Sequence, residues 1–184
     1  VLEVLLSGEG ENAAIVWDIR LPRILAAILL GGALSVSGFL LQTFFANTIA
    51  GPFVLGISSG SKLCVSLVMI FLLGRGILIS SWMMIASAFV GAMLSMGFVL
   101  AVSHRVRQMS LLVISGMMVG YICSAITDFV VTFANDSDIV NLHNWSMGSF
   151  SGISWDNIGV VFPVVAAALV GTFLLSKPIR AYQM

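Results

Sequence analysis

Asn47-Thr48-Ile49-Ala50-Gly51-Pro52 interrupts a run, Ile24 to Ser61, that contains no ionisable side chain. A membrane helix needs about 20 largely apolar residues, and the run is about twice that. Gly51-Pro52 at its centre cannot sit inside one continuous helix. The stretch therefore reads as two membrane helices joined by a tight turn, so that the chain crosses, turns and comes straight back.

Outward from this stretch the alternation of apolar runs and breakers repeats, giving five spans near 21–45, 55–73, 80–103, 110–134 and 158–176. The expected fold is an all-α membrane protein, a polytopic transmembrane helix bundle forming a single domain over 1–184. Short connections at 46–54, 74–79 and 104–109 make successive spans antiparallel neighbours. In the longer connection, 135–157, Asp136-Ser137-Asp138 precedes Ile139, Val140, Leu142 and Trp145. That is the pattern of a capped, half-apolar short helix near 137–146, lying in or near the interface.

Composition excludes other classes. The chain is 59% hydrophobic and 9% charged with zero formal net charge, and its mean hydropathy is +1.10, values that no soluble domain shows. Eight Lys plus Arg give no basic face for a nucleic-acid backbone, so no nucleic acid is expected as a partner. Cys64 and Cys123 lie inside apolar runs and read as packing residues. Glu3, Glu9, Glu11 and Asp18 near the start argue against a secretory signal, and Val1 as first residue reads as a fragment or a processed start.

Charge sets the expected topology. Arg105, Arg107, Lys177 and Arg180 collect on one side of the spans, which the positive-inside rule makes cytoplasmic. The other side receives the Arg75 loop, Asp136 and Asp138, and all four tryptophans, Trp17, Trp82, Trp145 and Trp155, near span ends. Arg20 and Arg23 also fall on that outer side, three residues apart on the first turn of the first span, so topology alone does not explain them.

Small residues recur at helical spacing: Gly31, Ser35 and Gly38; Ser87, Gly91 and Ser95; Gly116, Gly120 and Ser124. Such stripes let helices approach closely, and the first two read as packing seams. The third continues to Asp128 and Thr132, drifting about 40° per step. A carboxylate inside a span is expensive unless it faces water or a partner, so Ser124, Thr127 and Asp128 are read as lining a translocation pathway. Lys62 lies near the cytoplasmic end and can snorkel. Catalytic residues are expected to be none: there is no nucleophile elbow and no phosphate-cradling glycine run. His104 and His143 lack companions at ligand spacing, so no metal site and no cofactor are expected.

Several local patterns occur in an order that resembles one family. Arg20-Leu21-Pro22-Arg23, then Ser37-Gly38 and Gln42, the Asn47 to Pro52 turn with Leu55-Gly56-Ile57-Ser58-Ser59-Gly60, Gly120-Tyr121-Ile122-Cys123-Ser124-Ala125, Trp145-Ser146-Met147-Gly148-Ser149 with Gly152 and Trp155, and Ser176-Lys177-Pro178 look like the permease subunit of binding-protein-dependent ABC importers for iron-siderophore, haem and cobalamin. The resemblance covers nearly everything after Arg20. It implies about five spans of a ten-helix permease in the bacterial plasma (inner) membrane, with the first helix, the coupling segment and the last four helices absent.

The implied partners are membrane lipid, a second permease subunit in a homodimer or paired heterodimer, cytoplasmic ATPase subunits that hydrolyse ATP, and an extracytoplasmic substrate-binding protein. The implied cargo is an iron-siderophore or related metal chelate. By the same resemblance Arg20 and Arg23 receive carboxylates from the binding protein, and Asn47, Ile49, Met109 and Ser110 are cytoplasmic gate residues. Thr48, Lys62 and Asp128 depart from the family pattern. An ion-coupled secondary carrier using Asp128 is the alternative, followed by a membrane-embedded scaffold subunit.

Overall fold

The computed structural model describes residues 13–73, 77, 80–106 and 108–175. Arg75, Arg107, Lys177 and Arg180, which carried part of the topology argument, lie outside the described residues, as do Glu3, Glu9 and Glu11. The described residues are almost entirely helical: a π-helical turn, Ile15–Arg20, leads into α1 (Leu21–Phe44), followed by α2 (Ile57–Leu73), α3 (Ser81–Ser103), α4 (Met109–Val131), α5 (Asp136–Met147) and α6 (Trp155–Leu174). The segments Ile15–Phe44, Ser81–Ser103, Met109–Val131 and Trp155–Leu174 are long and apolar enough to cross a membrane. α2 has 17 residues, about 25 Å of helix, and falls short of that length by itself.

Helix ends follow local chemistry. Ser80 caps α3, its hydroxyl accepting from the Met83 N–H at 3.4 Å. α4 stops at Val131, three residues before the span drawn from hydropathy, and Thr132 closes it by donating its N–H to the Asp128 and Phe129 carbonyls. α6 begins at Trp155, earlier than the expected 158, behind the extended Ser154 and with Asp156 in its first turn. α5 carries Asp136 and Asp138 in its first turn and ends at Gly148, φ +73°.

Backbone contacts divide the described residues into two compact units, one of those up to Ser37 together with those from Ser149 onward, the other of those within Gly38–Gly148. In the second, α2 lies against both α3 and α4, and glycine makes this possible. A Cβ on Gly60 would meet the Gly91 carbonyl at 2.8 Å and run into Ser95 Oγ. One on Gly56 would lie 2.7 Å from the Gly116 carbonyl and the Gly120 nitrogen. Among lipid tails there is little hydrophobic drive between helices, so close backbone approach of this kind supplies the packing. Gly91 and Ser95 of the second stripe thus pack on α2, and Ser61 Oγ adds a 2.9 Å bond to the Ala88 carbonyl. At Gly31 and Gly38 an added Cβ would find no atom within 4 Å among the described residues.

Two apolar clusters mark the two ends of α2. Phe45, Ala50 and Leu55 from the turn pack with Val99, Leu112 and Val113 at one end. Val65 and Met69 pack with Leu142 of α5 at the other, with Met84, Val131 and Trp145 around them. Trp145 is therefore partly committed to helix packing, whereas Trp82 is 63% exposed. The turn itself closes α1 with paired bonds, Asn47 N–H to the Gln42 carbonyl (3.0 Å) and Ala46 N–H to the Thr43 carbonyl (3.2 Å). This Schellman arrangement requires a left-handed residue at Ala46, φ +46°.

Candidate functional site: one face of α4

α4 turns 100° per residue, so the stripe that starts at Gly116 and Gly120 rotates out of the α2 interface as it ascends. Gly116 and Gly120 are buried against Leu55 and Gly56, whereas Ser124 and Asp128 are exposed. Ser124 still reaches back, its Oγ donating to Ser59 Oγ on α2 at 3.5 Å. The Asp128 carboxylate has no hydrogen-bond or ion-pair partner among the described residues, and the adjacent Thr132 spends its hydroxyl on the Asp128 backbone carbonyl at 3.0 Å. Thr127 does not join this face. It is 2% exposed and donates its hydroxyl to the Cys123 carbonyl of its own helix at 2.8 Å, which makes it a packing residue within the unit.

Met117, Tyr121, Ser124 and Asp128, at steps of four, three and four, fall within about 60° of arc. Ser110 lies on the same arc, five turns below Asp128. A cavity of about 300 Å³ opens along it, lined by Met117, Gly120, Tyr121 and Ser124 of α4 together with Phe53, Val54 and Ser59. The exposed surface of α4 is thereby divided. Met118, Ile122 and Phe129, all more than half exposed, form an apolar arc centred about 100° or more away. Tyr121, 71% exposed, and Met117, Phe53 and Ser59 were missed by sequence reasoning, although the spacing from Met117 to Asp128 was available to find the α4 members.

The gate candidates occupy one end of this unit. Asn47 Oδ1 accepts from the Ile49 N–H at 3.0 Å, an Asx turn that leaves the Ile49 side chain 70% exposed. Ala50 beside it is fully buried against the cluster containing Leu112 and Val113, so the Asn47–Ile49 turn and the Met109–Ser110 start of α4 share one hydrophobic anchor. Met109 and Ser110 are themselves exposed.

In the other unit, Arg20 and Arg23 take different roles. The π-helical register, seen in the Leu21 N–H donating to the Val16 carbonyl, includes Arg20 and precedes Arg23. Arg20 is exposed. Arg23 is half-buried, its Nη2 donating to the Ser151 carbonyl at 2.7 Å while its Nε is buried without a hydrogen-bond partner. Ser149 Oγ folds the same turn by accepting the Ser151 N–H at 3.1 Å, and Trp155 Nε1–H donates to the Trp17 carbonyl at 3.0 Å. Arg23 thus sits against an ordered turn. No group of three or more His, Cys, Asp or Glu able to hold a metal occurs among the described residues, and Cys64 and Cys123 are free thiols.

Known proteins match this arrangement. The model of the FecCD transport family matches residues 1–184. The vitamin B12 import system permease protein BtuC of Klebsiella pneumoniae is 36% identical over 95% of this chain and 51% of its own length. The protein of the same name from Yersinia enterocolitica is 39% identical over 84% of this chain and 45% of its own. A solved structure described as an inward-facing metal-chelate type ABC transporter superposes with a TM-score of 0.76 at 24% identity, over 90% of this chain and 52% of that one. The chain spans about half the length of the curated relatives it matches. With its long apolar helices it is a multi-pass inner-membrane protein, and by the match over its whole length it belongs to the FecCD transport family.

Proposed function

We propose that the chain is part of the permease subunit of an ATP-driven, binding-protein-dependent importer, and that the Ser110-to-Asp128 face of α4 lines its translocation pathway. The observation that carries this reading is the division of α4: hydroxyls, a carboxylate and an open cavity on one arc, bulky apolar side chains on another. Polar groups at membrane depth belong where water or protein meets them. The shared anchor of the two turns supports Asn47, Ile49, Met109 and Ser110 as the cytoplasmic gate, because both turns pack on one buried cluster. Arg20 and Arg23 are the sites where a soluble binding protein docks, with Arg20 presenting the freer guanidinium.

The permease pairs with a second permease subunit and with cytoplasmic ATPase subunits that hydrolyse the nucleotide, and it performs no catalysis itself. The cargo is a metal chelate. Relatives named for vitamin B12 import favour a corrinoid over the iron-siderophore expected from the sequence pattern. The test is uptake by the complete transporter in proteoliposomes with its binding protein, offering cyanocobalamin and a ferric trihydroxamate in parallel. ATP-dependent uptake of either, unchanged by proton and sodium ionophores, supports the importer. Uptake driven by an ion gradient without ATP would establish the secondary-carrier alternative instead.

A further inference from the structure

Lys62 and Asp128 are the only Asp, Glu, Lys or Arg residues on α2, α3 and α4, and the structure treats them differently. Lys62 is half-buried on α2 and makes no ion pair with Asp128. Asp128 is exposed near the α5-proximal end of α4, and every hydroxyl beside it is engaged elsewhere: Ser124 with Ser59, Thr127 with the Cys123 carbonyl, Thr132 with the Asp128 backbone. The other carboxylates that follow have local work. Asp138 is buried and accepts from Asn135 Nδ2 at 3.3 Å, and both it and Asp136 sit in the first turn of α5, where the helix dipole favours negative charge. From Gln108 to Ser176 the sequence contains no Lys or Arg to offset them. Asp128 is the one carboxylate on α2, α3 and α4 and its side chain has no partner among the described residues, one turn above Ser124, which lines the 300 Å³ cavity.

Resting on the pathway reading above, we infer that Asp128 is a charge-selecting residue: it makes the outer half of the α4 face attractive to positive charge, so that the permease favours metal chelates bearing a cationic edge and disfavours anionic ones. A fixed charge beside a water-filled passage concentrates ions of opposite sign and repels like ones. At one helical turn, about 6 Å, the attraction of a cation and the repulsion of an anion each change encounter by a few-fold, so their ratio changes about tenfold.

The test needs no knowledge of the cargo. In the complete transporter with Cys64→Ala and Cys123→Ala, Ser124→Cys is treated with a trimethylammonium methanethiosulfonate and with its sulfonate counterpart, with Asp128 intact and with Asp128→Asn. Free cysteine modified in parallel corrects for the intrinsic reactivity of each reagent. Faster modification by the cation, with a cation-to-anion ratio that falls about tenfold in Asp128→Asn, is the expected result. A ratio unchanged by Asp128→Asn, with both reagents reacting, overturns charge selection and leaves the pathway reading standing. Failure of both water-soluble reagents in every nucleotide state, while a lipid-soluble maleimide labels the same thiol, removes the pathway reading and the selection with it.

Discussion

Ser110 and Asp128 lie on one face of α4, five turns and about 27 Å apart, and both are exposed. Their shared phase links the first turn of the helix, anchored beside the Asn47 turn, to a carboxylate near the opposite end. A different side of the helix is the one that packs. Gly116 and Gly120 hold α4 against α2 at backbone distance.

Gly56→Ala is expected to be among the most damaging conservative changes. It forces an L side chain to φ +74° and drives Cβ to 2.7 Å from the Gly116 carbonyl and Gly120 nitrogen. Left-handed strain of about 1–2 kcal/mol adds to overpacking of about 1–3 kcal/mol. Gly148→Ala, at φ +73°, ψ +147° with open space around it, bears only a conformational cost, about 1–3 kcal/mol because that region is closed to L residues. Thermal unfolding of the two variants in detergent should rank Gly56→Ala below Gly148→Ala by the overpacking term; a Gly56→Ala loss smaller than that of Gly148→Ala would remove the close helix approach from the explanation.

The same reasoning separates the small-residue stripes. Gly91→Ala places Cβ against the Gly60 carbonyl and should destabilise by about 1–3 kcal/mol. Gly31→Ala meets nothing within 4 Å in the described structure and should be neutral or stabilising by up to about 1 kcal/mol through helix propensity. A Gly31→Ala loss as large as that of Gly91→Ala, seen only in the complete transporter, would show that helices beyond this chain cover the stripe.

Much of this was legible in the residues. The Gly51-Pro52 interruption located the α1–α2 turn, and the four-residue step into Asp128 traced the stripe that leaves the α2 interface at Ser124 and Asp128. Thr127 could not be placed by spacing, because a hydroxyl one position from a polar residue satisfies either a pathway or its own backbone, and only the packing of α4 in its unit decides. Spacing does not settle the Gly31 stripe for a related reason: small residues show that a helix can be approached, not what approaches it, and no described atom lies within 4 Å of a Cβ at Gly31 or Gly38. Ala46 gave no signal at all. A left-handed alanine is demanded by the paired carbonyl bonds of the turn, not by its own preference.

Ala46→Gly follows from that geometry. Glycine adopts φ +46° without the Cβ penalty, offset in part by the greater freedom of the unfolded chain. A gain of up to about 1 kcal/mol is expected, read as a rise of about 2–4 °C in the detergent melting midpoint. A fall in the midpoint would contradict the Schellman closure of α1.

Arg20 and Arg23 should separate under charge reversal. Arg23→Gln removes the 2.7 Å bond to the Ser151 carbonyl and should loosen the turn, measured as faster labelling of a cysteine placed at Ser149. Arg20→Glu should leave that labelling unchanged and weaken binding-protein docking, with partial recovery when an acidic residue on the partner is changed to Lys. Recovery of Arg23→Glu docking by the same partner change, with Ser149 labelling unaltered, would assign both arginines to docking alone.

The most direct measurement is a cysteine scan along α4 in the complete transporter with Cys64 and Cys123 replaced, reading modification by a membrane-impermeant thiol reagent position by position. Pathway lining predicts a helical periodicity with maxima at Met117, Tyr121, Ser124 and Asp128, protection of those positions when cargo is loaded, and little reaction at Met118, Ile122 and Phe129. Maxima on the Met118, Ile122 and Phe129 arc, or a uniform absence of reaction at Tyr121, Ser124 and Asp128 in all nucleotide states, would contradict it.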